Sequence, residues 1–525
     1  MKLSLEWLRD HVELPADLSM ATLMHDLTMT TVEVESAVAH GDDTVLEIDN
    51  KSLTNRPDLW GHYGIARELA AIYKLPLKPL VGPLSSLLPA RPRVAPLVGP
   101  VDPECRRFTA TAFSNVRVTE SPAWLRDRLT RVGVNSINLW VDLTNYVMLD
   151  TGQPLHAYDA RRITLPLGTR RSRKGERTRL LNGDEHELEE GILTIVDART
   201  IVGIAGVMGG QDSAVTAATT EIVLECANFD PLTIRRASRR LNLRTDASSR
   251  FEKGIDTPRI DLAVARFISL AMNIQPQAAV DAVADVCSAP TGHAQVTTSM
   301  NYLEDRLGAA LQEDEVVRGL EAFGFEVAMR GREMAVTVPT WRSTGDVSGP
   351  HDVLEEIARL KGYDSFAFVP AEVQLVKPAI DARAQFERRL RDLLTLTGGM
   401  YEVVTYPWST RAFIDAAGID ATAAPKLSAP PAPDQDTLRP SLVPNLLEAV
   451  AQNLGFFQSF RIFELGRVFP GGLAQGDTAE ERLPVQPRHL AGAFVGADAT
   501  ALFRQAQGLL ELIARVTHAA PIRME

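Results

Sequence analysis

Apolar residues recur at intervals of three and four positions in many separate stretches of the chain, with polar residues between them. This spacing places the apolar side chains on one face of an α-helix and predicts amphipathic helices. In the NRPD stretch, Pro57 ends any earlier helix, and Asp58 is expected to cap the next one. The clearest helical stretches are SLEWLRDHV (4–12), DLWGHYGIARELAAIY (58–73), SPAWLRDRLTRVG (121–133), EDEVVRGLEAFGF (313–325), ARAQFERRLRDLLTLTG (382–398) and TALFRQAQGLLELIARVT (500–517).

Other stretches are short, rich in β-branched and aromatic residues, and bounded by turn-forming residues, which predicts strands. Because these strands are mixed with the helices along the chain, the expected fold class is α+β, in several domains. The strand-like stretches are RFTATAFSNVRV (107–118), GILTIVDA (191–198), EIVLECANF (221–229), EMAVTVPTW (333–341), YEVVTYPW (401–408), FRIFELGRVF (460–469) and HLAGAFVG (489–496).

The order of these stretches divides the chain into five segments. The composition of the second one, rich in proline and poor in charge, is typical of a linker. The segments are an N-terminal helical segment (1–80), a Pro-rich linker (81–104), an α+β domain (105–290), a small α/β domain (291–375) and an antiparallel sheet core (376–525).

Composition narrows the class of protein. With 525 residues, 45% hydrophobic and 23% charged, the chain is typical of a soluble multidomain protein. The three cysteines form no CxxC pair, which favours a reducing cytoplasm over a disulfide framework. The longest nearly apolar stretch, IVGIAGVMGG (201–210), is too short to span a bilayer, so no membrane contact is expected. No Walker loop, GxSxG or strand-linked GxGxxG is present.

Two basic clusters stand out against the net charge of −12. Residues 161–180 hold eight lysines and arginines, and residues 235–254 hold seven. One interpretation is a solvated face whose cations pair with nearby carboxylates. The other is a surface that contacts the phosphates of a nucleic acid, with RNA preferred because no recognisable duplex-DNA module accompanies the clusters.

A group of four carboxylates raises a similar choice. If their segment is helical, the last three share one face, where like charges repel. The cluster is either an acidic helix face neutralised by Arg342, Arg359 and Lys361, or a site for a cation. Oxygen ligands without histidine or cysteine nearby suit Mg²⁺. The four carboxylates are Asp346, Asp352, Glu355 and Glu356.

Seven motifs in a fixed order give the chain a resemblance to a known family. The sequence is similar to the β subunits of bacterial phenylalanyl-tRNA synthetases over nearly its whole length. The motifs are TNRPDLWGHYGIARELAA (54–71), VDLTNYVMLDTGQPLHAYD (141–159), GIAGVMGGQDS (203–213), VLECANF (223–229), TDASSRFEKGID (245–256), VPTWR with DVLEEIARLKGYD (338–364) and RIFELGRVF (461–469).

The resemblance implies a function and partners. In that family the β subunit pairs with a catalytic α subunit in an (αβ)2 heterotetramer, binds tRNA and hydrolyses mischarged tyrosyl-tRNA. The α subunit uses ATP to charge tRNA with phenylalanine, so this chain would be part of a phenylalanine–tRNA ligase and would not charge tRNA alone. Residues 376–525 would form a class II synthetase-like core without catalytic motifs, because Arg461 and Glu464 are one position too far apart for the ATP-gripping pair.

The family resemblance also implies two sites. The four carboxylates reproduce the spacing of the family's Mg²⁺ ligands, although Asp346 lies later than usual after Trp341 and Arg342. Residues 105–290 would be the editing domain, in which small side chains leave room for the substrate ring and polar ones orient water. The editing pocket is expected to contain His156, Gly209, Glu225, Thr245 and Ala247.

Three departures from the family pattern keep alternatives open. Asn135 stands where an arginine is expected to help hold the tRNA end, and neither the OB-fold insertion nor the C-terminal anticodon-binding domain is found. The leading hypothesis is a minimal synthetase β subunit with weak editing. The alternatives are a paralogue whose α-like partner transfers an activated amino acid to a non-tRNA acceptor, and a free-standing trans-editing hydrolase.

Overall fold

A computed structural model describes residues 1–88, 96–377, 379–472 and 483–518 of the chain. The chain divides into two units, Met1–Pro370 and Ala371–Glu525. Several antiparallel sheets with helices packed around them form a mixed α/β multidomain fold, which confirms the expected class in its coarse form. Part of the expected Pro-rich linker, residues 89–95, lies outside the described residues.

The first segment combines helices with a small sheet of order β1-β3-β2. The expectation of a helical segment was therefore incomplete: strands β2 and β3 form a hairpin whose tight turn contains Gly41 at φ 64°. The elements are β1 (Lys2–Ser4), α1 (Leu5–His11), α2 (Met20–Thr30), β2 (Val34–His40), β3 (Asp43–Ile48) and α3 (His62–Ile72), and the short α4 (Leu84–Leu87) follows in the linker segment.

The expected N-cap of α3 is wrong. Asp58 lies in a 3₁₀ turn (Pro57–Leu59), and its carboxylate accepts two hydrogen bonds from Arg56, both 2.9 Å long. Helix α3 begins four residues later, with Gly61 at its N-cap and no side-chain cap. Gly61 is required there because a Cβ atom would lie 2.5 Å from the backbone nitrogen of Gly152.

Residues 105–290 contain two four-stranded antiparallel sheets, of order β13-β4-β12-β5 and β11-β10-β9-β6. Strand β12 is central to the first sheet, and all eight of its residues are buried. The elements are β4 (Cys105–Ser114), α5 (Ala123–Arg131), α6 (Leu139–Thr151), β5 (His156–Asp159), β6 (Gly168–Arg171), β7 (Glu176–Arg179), β8 (Glu185–Leu188), β9 (Leu193–Val196), β10 (Ile201–Ile204), β11 (Met208–Gly209), β12 (Ile222–Phe229), α7 (Pro231–Arg240), α8 (Asp246–Phe251), α9 (Arg259–Ile274) and β13 (Ala279–Cys287).

Residues 291–370, the last part of the first unit, form a three-stranded antiparallel sheet of order β14-β16-β15 with helices packed against it. Its apolar core includes Leu303, Phe323, Val336 and Val353. The elements are β14 (Gln295–Ser299), α10 (Met300–Leu307), α11 (Glu313–Ala322), β15 (Glu326–Arg330), β16 (Glu333–Thr337) and α12 (Pro350–Lys361).

A buried ion network joins α3 to α12. The carboxylate of Glu68 accepts hydrogen bonds from Arg56 and Arg359, each 2.6 Å long. Arg359 also donates to Glu356 at 2.6 Å, and Glu356 accepts two further bonds from Arg342. Burial alone would raise the pKa of Glu68, but Arg359 and Arg56 hold it well below its usual range.

The second unit has a smaller core around Leu390, Met400, Phe463 and Ile513. Its main sheet has the order β17-β20-β21, in which β17 runs parallel and β21 antiparallel to β20. The elements are α13 (Ala382–Asp392), β17 (Tyr401–Glu402), β18 (Trp408–Ser409), α14 (Arg411–Ala416), β19 (Thr437–Leu438), α15 (Val443–Asn453), β20 (Phe460–Arg467), β21 (Arg488–Val495) and α16 (Ala499–Thr517).

Across the described parts of both units, no helix is long and apolar enough to cross a membrane.

The ion network predicts a strong dependence of stability on Glu68. Glu68→Gln should lower the free energy of unfolding by about 3–5 kcal/mol, because it leaves two buried guanidinium groups short of a counter-charge. Urea unfolding followed by tryptophan fluorescence measures this, since five of the six tryptophans lie in the first unit. The matched control is Glu187→Gln, whose exposed ion pair with Arg177 should contribute less than about 1 kcal/mol. Equal losses in the two variants would contradict the network's role.

Candidate functional site

A cavity of about 520 Å³ lies within residues 105–290, between α6, strands β5 and β10 to β12, and α8. Its volume is within the range of small-molecule sites. All five residues that the sequence assigns to the editing pocket line it: His156, Gly209, Glu225, Thr245 and Ala247.

Glu225 is the buried carboxylate of this cavity. It lies on the central strand β12, where only 7% of the residue is exposed, and Tyr158 donates a hydrogen bond to its Oε2 atom at 2.5 Å. Burial raises the pKa of Glu225 to about 7, although the Tyr158 hydroxyl counteracts part of that shift. The carboxyl group therefore exchanges its proton near neutral pH, as a general acid or base requires.

His156 lies directly opposite Glu225, because the two residues are register partners in the antiparallel pair β5–β12. Burial lowers the pKa of His156 to about 4, so the imidazole is neutral at pH 7. Its Nε2 atom is buried and has no hydrogen-bond partner in the structure. An unpaired buried nitrogen is costly, and a water or substrate atom in the cavity would satisfy it.

Gly209 provides the space that the imidazole occupies. A Cβ atom at this position would lie 2.5 Å from Nε2 of His156, a distance that side-chain atoms do not tolerate. Any larger residue would therefore push the ring out of its position.

Thr245 and Ala247 lie at the start of α8. The Thr245 hydroxyl donates to the Val207 carbonyl at 2.8 Å and accepts from the Ser248 amide at 3.1 Å, as the N-cap of a capping box. Its hydroxyl is thus committed to backbone contacts and joins the start of α8 to the turn between β10 and β11. Ala247 packs against the apolar core, and its small side chain leaves part of the cavity open.

Tyr158 was missed as a site residue, although it lies inside one of the quoted motifs. It stands two positions after His156 on β5, and residues two apart on a strand face the same side. This two-residue spacing from His156 is the sequence signal that could have predicted Tyr158 as a site residue. The Tyr158 ring contacts the His156 ring edge-on, with the two ring centres 4.5 Å apart, and the Tyr158 hydroxyl donates to Glu225. Tyr158 therefore positions both groups.

Asn135, the departure from the expected arginine, is exposed in the loop before α6. The next residues of that loop, Ile137 and Asn138, line the cavity. The position is therefore close to the cavity rim, and an amide there adds no positive charge.

The structure does not bring the four predicted Mg²⁺ ligands together. Asp346 accepts hydrogen bonds from Asn55, at 2.9 Å, and from Arg342. Glu356 is bound by Arg342 and Arg359, which lower its pKa to about 2 against the raising effect of burial. Arginine donors thus occupy the oxygen atoms that a cation would need.

The other two predicted ligands have separate surroundings. Asp352 accepts the backbone amides of Ser348 and Gly349 at 2.7 and 2.8 Å at the start of α12, while Glu355 is exposed. Within the described residues, no group of three or more histidine, cysteine, aspartate or glutamate side chains is arranged to hold a metal ion. The side chains as arranged do not fit Mg²⁺, whose assignment here stays a prediction from sequence.

The two basic clusters differ in the structure. In residues 161–180, five of the eight cations pair with carboxylates. These are Arg161 with Glu221, Arg162 with Asp159, Arg170 with Glu176, Arg171 with Asp102 and Glu104, and Arg177 with Glu187.

The second cluster keeps an unpaired face. Five exposed arginines on α7 and in the loop after it have no carboxylate within 4.0 Å among the described residues: Arg235, Arg236, Arg239, Arg240 and Arg244. Arg244 directly precedes Thr245, so this face adjoins the cavity. The remaining two cations, Arg250 and Lys253, pair with Asp246 and Glu252.

In the second unit, Arg461 and Glu464 have separate partners. Arg461 donates to the Gly398 carbonyl and to Gln505, at 2.9 and 2.8 Å. Glu464 is 3% exposed and pairs with Arg439 at 2.7 Å. Both side chains are thus engaged within their own unit.

Three family models match consecutive parts of the chain. They are the B3/4 domain over residues 104–276, the tRNA synthetase B5 domain over 296–363, and the phenylalanyl tRNA synthetase β chain CLM domain over 368–525. The cavity lies within the first of these matches, and the carboxylates of α12 lie within the second.

Known proteins are similar to the chain over most of its length. The phenylalanine–tRNA ligase β subunit of Solibacter usitatus is 39% identical over 434 residues, which is 81% of this chain and 55% of that protein. The same subunit of Halalkalibacterium halodurans is 35% identical, over 86% of this chain and 56% of that protein.

A solved N-terminal fragment of the Pyrococcus horikoshii phenylalanyl-tRNA synthetase β subunit can be superposed on this chain. The alignment covers 69% of this chain and 99% of the fragment, at 14% identity and a TM-score of 0.40.

The chain spans about half the length of the curated relatives it matches. By its domains and its sequence, the chain therefore belongs with the phenylalanine–tRNA ligase β subunits.

Proposed function

We propose that the chain is the β subunit of a phenylalanyl-tRNA synthetase-type heteromer, and that its 105–290 domain hydrolyses the aminoacyl ester of mischarged tyrosyl-tRNA. One observation carries the editing proposal: a single cavity contains all five expected residues, with an unpaired histidine nitrogen opposite a carboxyl group of pKa about 7. The names of the relatives support the β-subunit role over a non-tRNA acceptor or a free-standing hydrolase.

In this hydrolysis a water oxygen attacks the ester carbonyl carbon, and the bond from that carbon to the ribose oxygen breaks. Glu225 is the candidate general base, because its ionised form is available near pH 7 and can take the water's proton. The same proton can then pass to the leaving ribose oxygen. His156 holds the water through its unpaired Nε2 atom, and Tyr158 positions Glu225.

Preference for a tyrosyl group over a phenylalanyl group would come from a polar partner for the extra hydroxyl. The Tyr158 hydrogen bond uses Oε2 of Glu225 and leaves Oε1 as an acceptor. A site that hydrogen-bonds a substrate hydroxyl discriminates strongly against the analogue without one. Glu225 would then serve either recognition or proton transfer, and the pH dependence of the two substrates separates these roles.

We also propose that the unpaired arginines of α7 contact the phosphates of the tRNA near its acceptor end. Their position beside Thr245 supports this, since RNA bound on α7 would end close to the cavity. The charged pairs of residues 161–180 leave that cluster less able to bind phosphate.

The catalytic α subunit, which would use ATP, is the proposed partner of the second unit in an (αβ)2 assembly. Large apolar side chains of that unit are exposed, and exposed apolar patches are typical of protein interfaces. They include Leu396, Tyr401, Val404, Tyr406 and Phe456. No step of the proposed reaction uses Mg²⁺, and of the α12 carboxylates it is Glu356 that acts in the ion network.

The editing proposal predicts that the assembled heteromer deacylates tyrosyl-tRNA faster than phenylalanyl-tRNA. Glu225→Gln should lower the tyrosyl-tRNA rate by about 100-fold or more, since general-base catalysis is worth that much. Ala247→Phe should remove the preference by filling the ring space. Single-turnover deacylation measures both. Glu221→Gln, an exposed carboxylate just before the same strand, is the control and should keep the wild-type rate. A wild-type rate in Glu225→Gln would refute the assignment.

The pKa values of the cavity predict how its stability depends on pH. Because the folded pKa of Glu225 is raised from 4.5 to about 7, its contribution to stability is lost as pH rises through 7. The folded pKa of His156 is lowered from 6.5 to about 4, so its contribution is lost as pH falls through that window. Between about pH 4.5 and 6.5 the two effects oppose each other.

In Glu225→Gln, His156 should be the one group of the pair that still makes the free energy of unfolding depend on pH. Relative to wild type, the variant should gain about 3 kcal/mol of unfolding free energy between pH 4.5 and 8, from a shift of about 2.5 pH units. Urea unfolding followed by tryptophan fluorescence at several pH values measures the gain. Glu221→Gln should follow the wild-type curve, and a Glu225→Gln curve parallel to wild type would contradict a raised pKa.

The basic face of α7 predicts a salt-dependent loss of tRNA binding. Replacing four of its arginines with glutamine should weaken binding at low salt and reduce the slope of log K against log salt by about three. The matched control replaces four paired arginines of the other cluster and should change the slope by less than about one. Fluorescence anisotropy from 50 to 200 mM salt checks this, and equal changes in both variants would contradict the proposal. The test set is Arg235, Arg236, Arg239 and Arg240; the control set is Arg161, Arg162, Arg170 and Arg177.

A further inference from the structure

A second cavity, of about 700 Å³, lies in the first unit where α3 faces α11 and α12. It shares no residue with the editing cavity and contains none of the four carboxylates of α12 or the loop before it. Its volume is that of a site for a small organic molecule.

Small residues on two helices leave room for the cavity. Ala70 and Ala71 on α3 and Gly319 and Ala322 on α11 all line it, and none of them has a side chain long enough to fill it. Apolar side chains, among them Leu75, Leu311, Val316, Ile357 and Leu360, complete the walls. A molecule bound here would gain free energy by burying its own apolar surface.

Cationic side chains outnumber carboxylates around this apolar space. Arg67, Lys74, Arg318 and Lys361 line it together with Glu315 and Glu321. Arg318 approaches Asp314 at 3.7 Å, but Lys74 and Lys361 have no carboxylate within 4.0 Å among the described residues. The charge around the cavity therefore favours an anion in a chain whose net charge is −12.

Arg67 is the most confined of these cations. Its side chain is 13% exposed, and its guanidinium lies 4.2 Å from the centre of the Trp341 ring. Its Nη1 atom is buried and has no hydrogen-bond partner among the described residues, although it makes an ion contact with Asp58 at 3.5 Å. Buried arginine donors normally find acceptors, so Arg67 keeps a hydrogen-bonding position beyond its ion contact with Asp58.

We propose that this cavity binds a small organic anion, with its carboxylate or phosphate group on the Arg67, Lys74 and Lys361 side and its apolar body against α3 and α11. The site is independent of the editing cavity and does not rest on the proposed function. Because its walls come from two segments of the first unit, a bound anion would tie α3 to α11 and stabilise their junction.

The test compares two nearly isosteric probes on the full chain, 4-phenylbutanoate and the neutral 4-phenylbutanamide. Isothermal titration calorimetry should show that wild type binds the acid about tenfold more tightly than the amide, since one charge-assisted hydrogen bond is worth that much. Replacing Lys74 and Lys361 together with glutamine should weaken acid binding and leave amide binding unchanged. Arg67→Gln should do the same, but Arg67 also pairs with Asp58, so the lysine variant is the primary one.

Two controls separate this cavity from other apolar surfaces. Ala322→Trp places a large ring in the cavity from an exposed helix position, so it should abolish binding of both probes without affecting the fold. Lys174→Gln, on an exposed turn far from the cavity in sequence, should bind as wild type. Undetectable acid binding, equal affinity for acid and amide, or full binding by Ala322→Trp would each overturn the proposal.

Discussion

The carboxylate of Glu68 lies between the guanidinium groups of Arg56 and Arg359, and the arrangement of the first unit depends on that contact. Arg359 belongs to α12, 291 positions away along the chain, so the interaction fixes α3 against α12. Neither partner is exposed to water, and each ion is stable only because the others are present. The network continues through Glu356 and Arg342 to Asp346, which explains why these acidic residues are paired with arginines.

The cavity that contains Glu225 and His156 follows from a different constraint, the register of one pair of strands. Strand β12 is wholly buried, and its pairing with β5 places Glu225 opposite His156. Burial then acts on the two groups in opposite directions: it raises the pKa of the acid and lowers that of the base. At neutral pH the cavity therefore holds a carboxyl group near half-ionisation beside a neutral imidazole, an arrangement suited to moving a proton from water. The same burial that destabilises the charged forms gives the groups their chemistry.

Pairing also decides what the two basic clusters can do. The two clusters have similar sequences, yet strand neighbours supply carboxylates to the first, while the exposed face of α7 has none within 4.0 Å among the described residues. The same reasoning applies to the second cavity, where the described part of the chain offers Lys74 and Lys361 no carboxylate and leaves Nη1 of Arg67 without a hydrogen bond. Anion binding is thus expected at these two places, where cationic side chains have no carboxylate partner among the described residues.

The sequence by itself determined the mixed fold class and the positions of most helices and strands, and through its family resemblance it predicted five site residues that all line the cavity within residues 105–290. These features depend on local periodicity and on short motifs, which a single chain segment carries in full. It did not determine the cap of α3, where Asp58 pairs with Arg56, or the N-terminal hairpin. Nor did it determine whether the α12 carboxylates face a cation or arginines. Only the tertiary structure decided those points, because the partner of a charge such as Asp346 or Glu356 comes from whichever distant segment folds beside it.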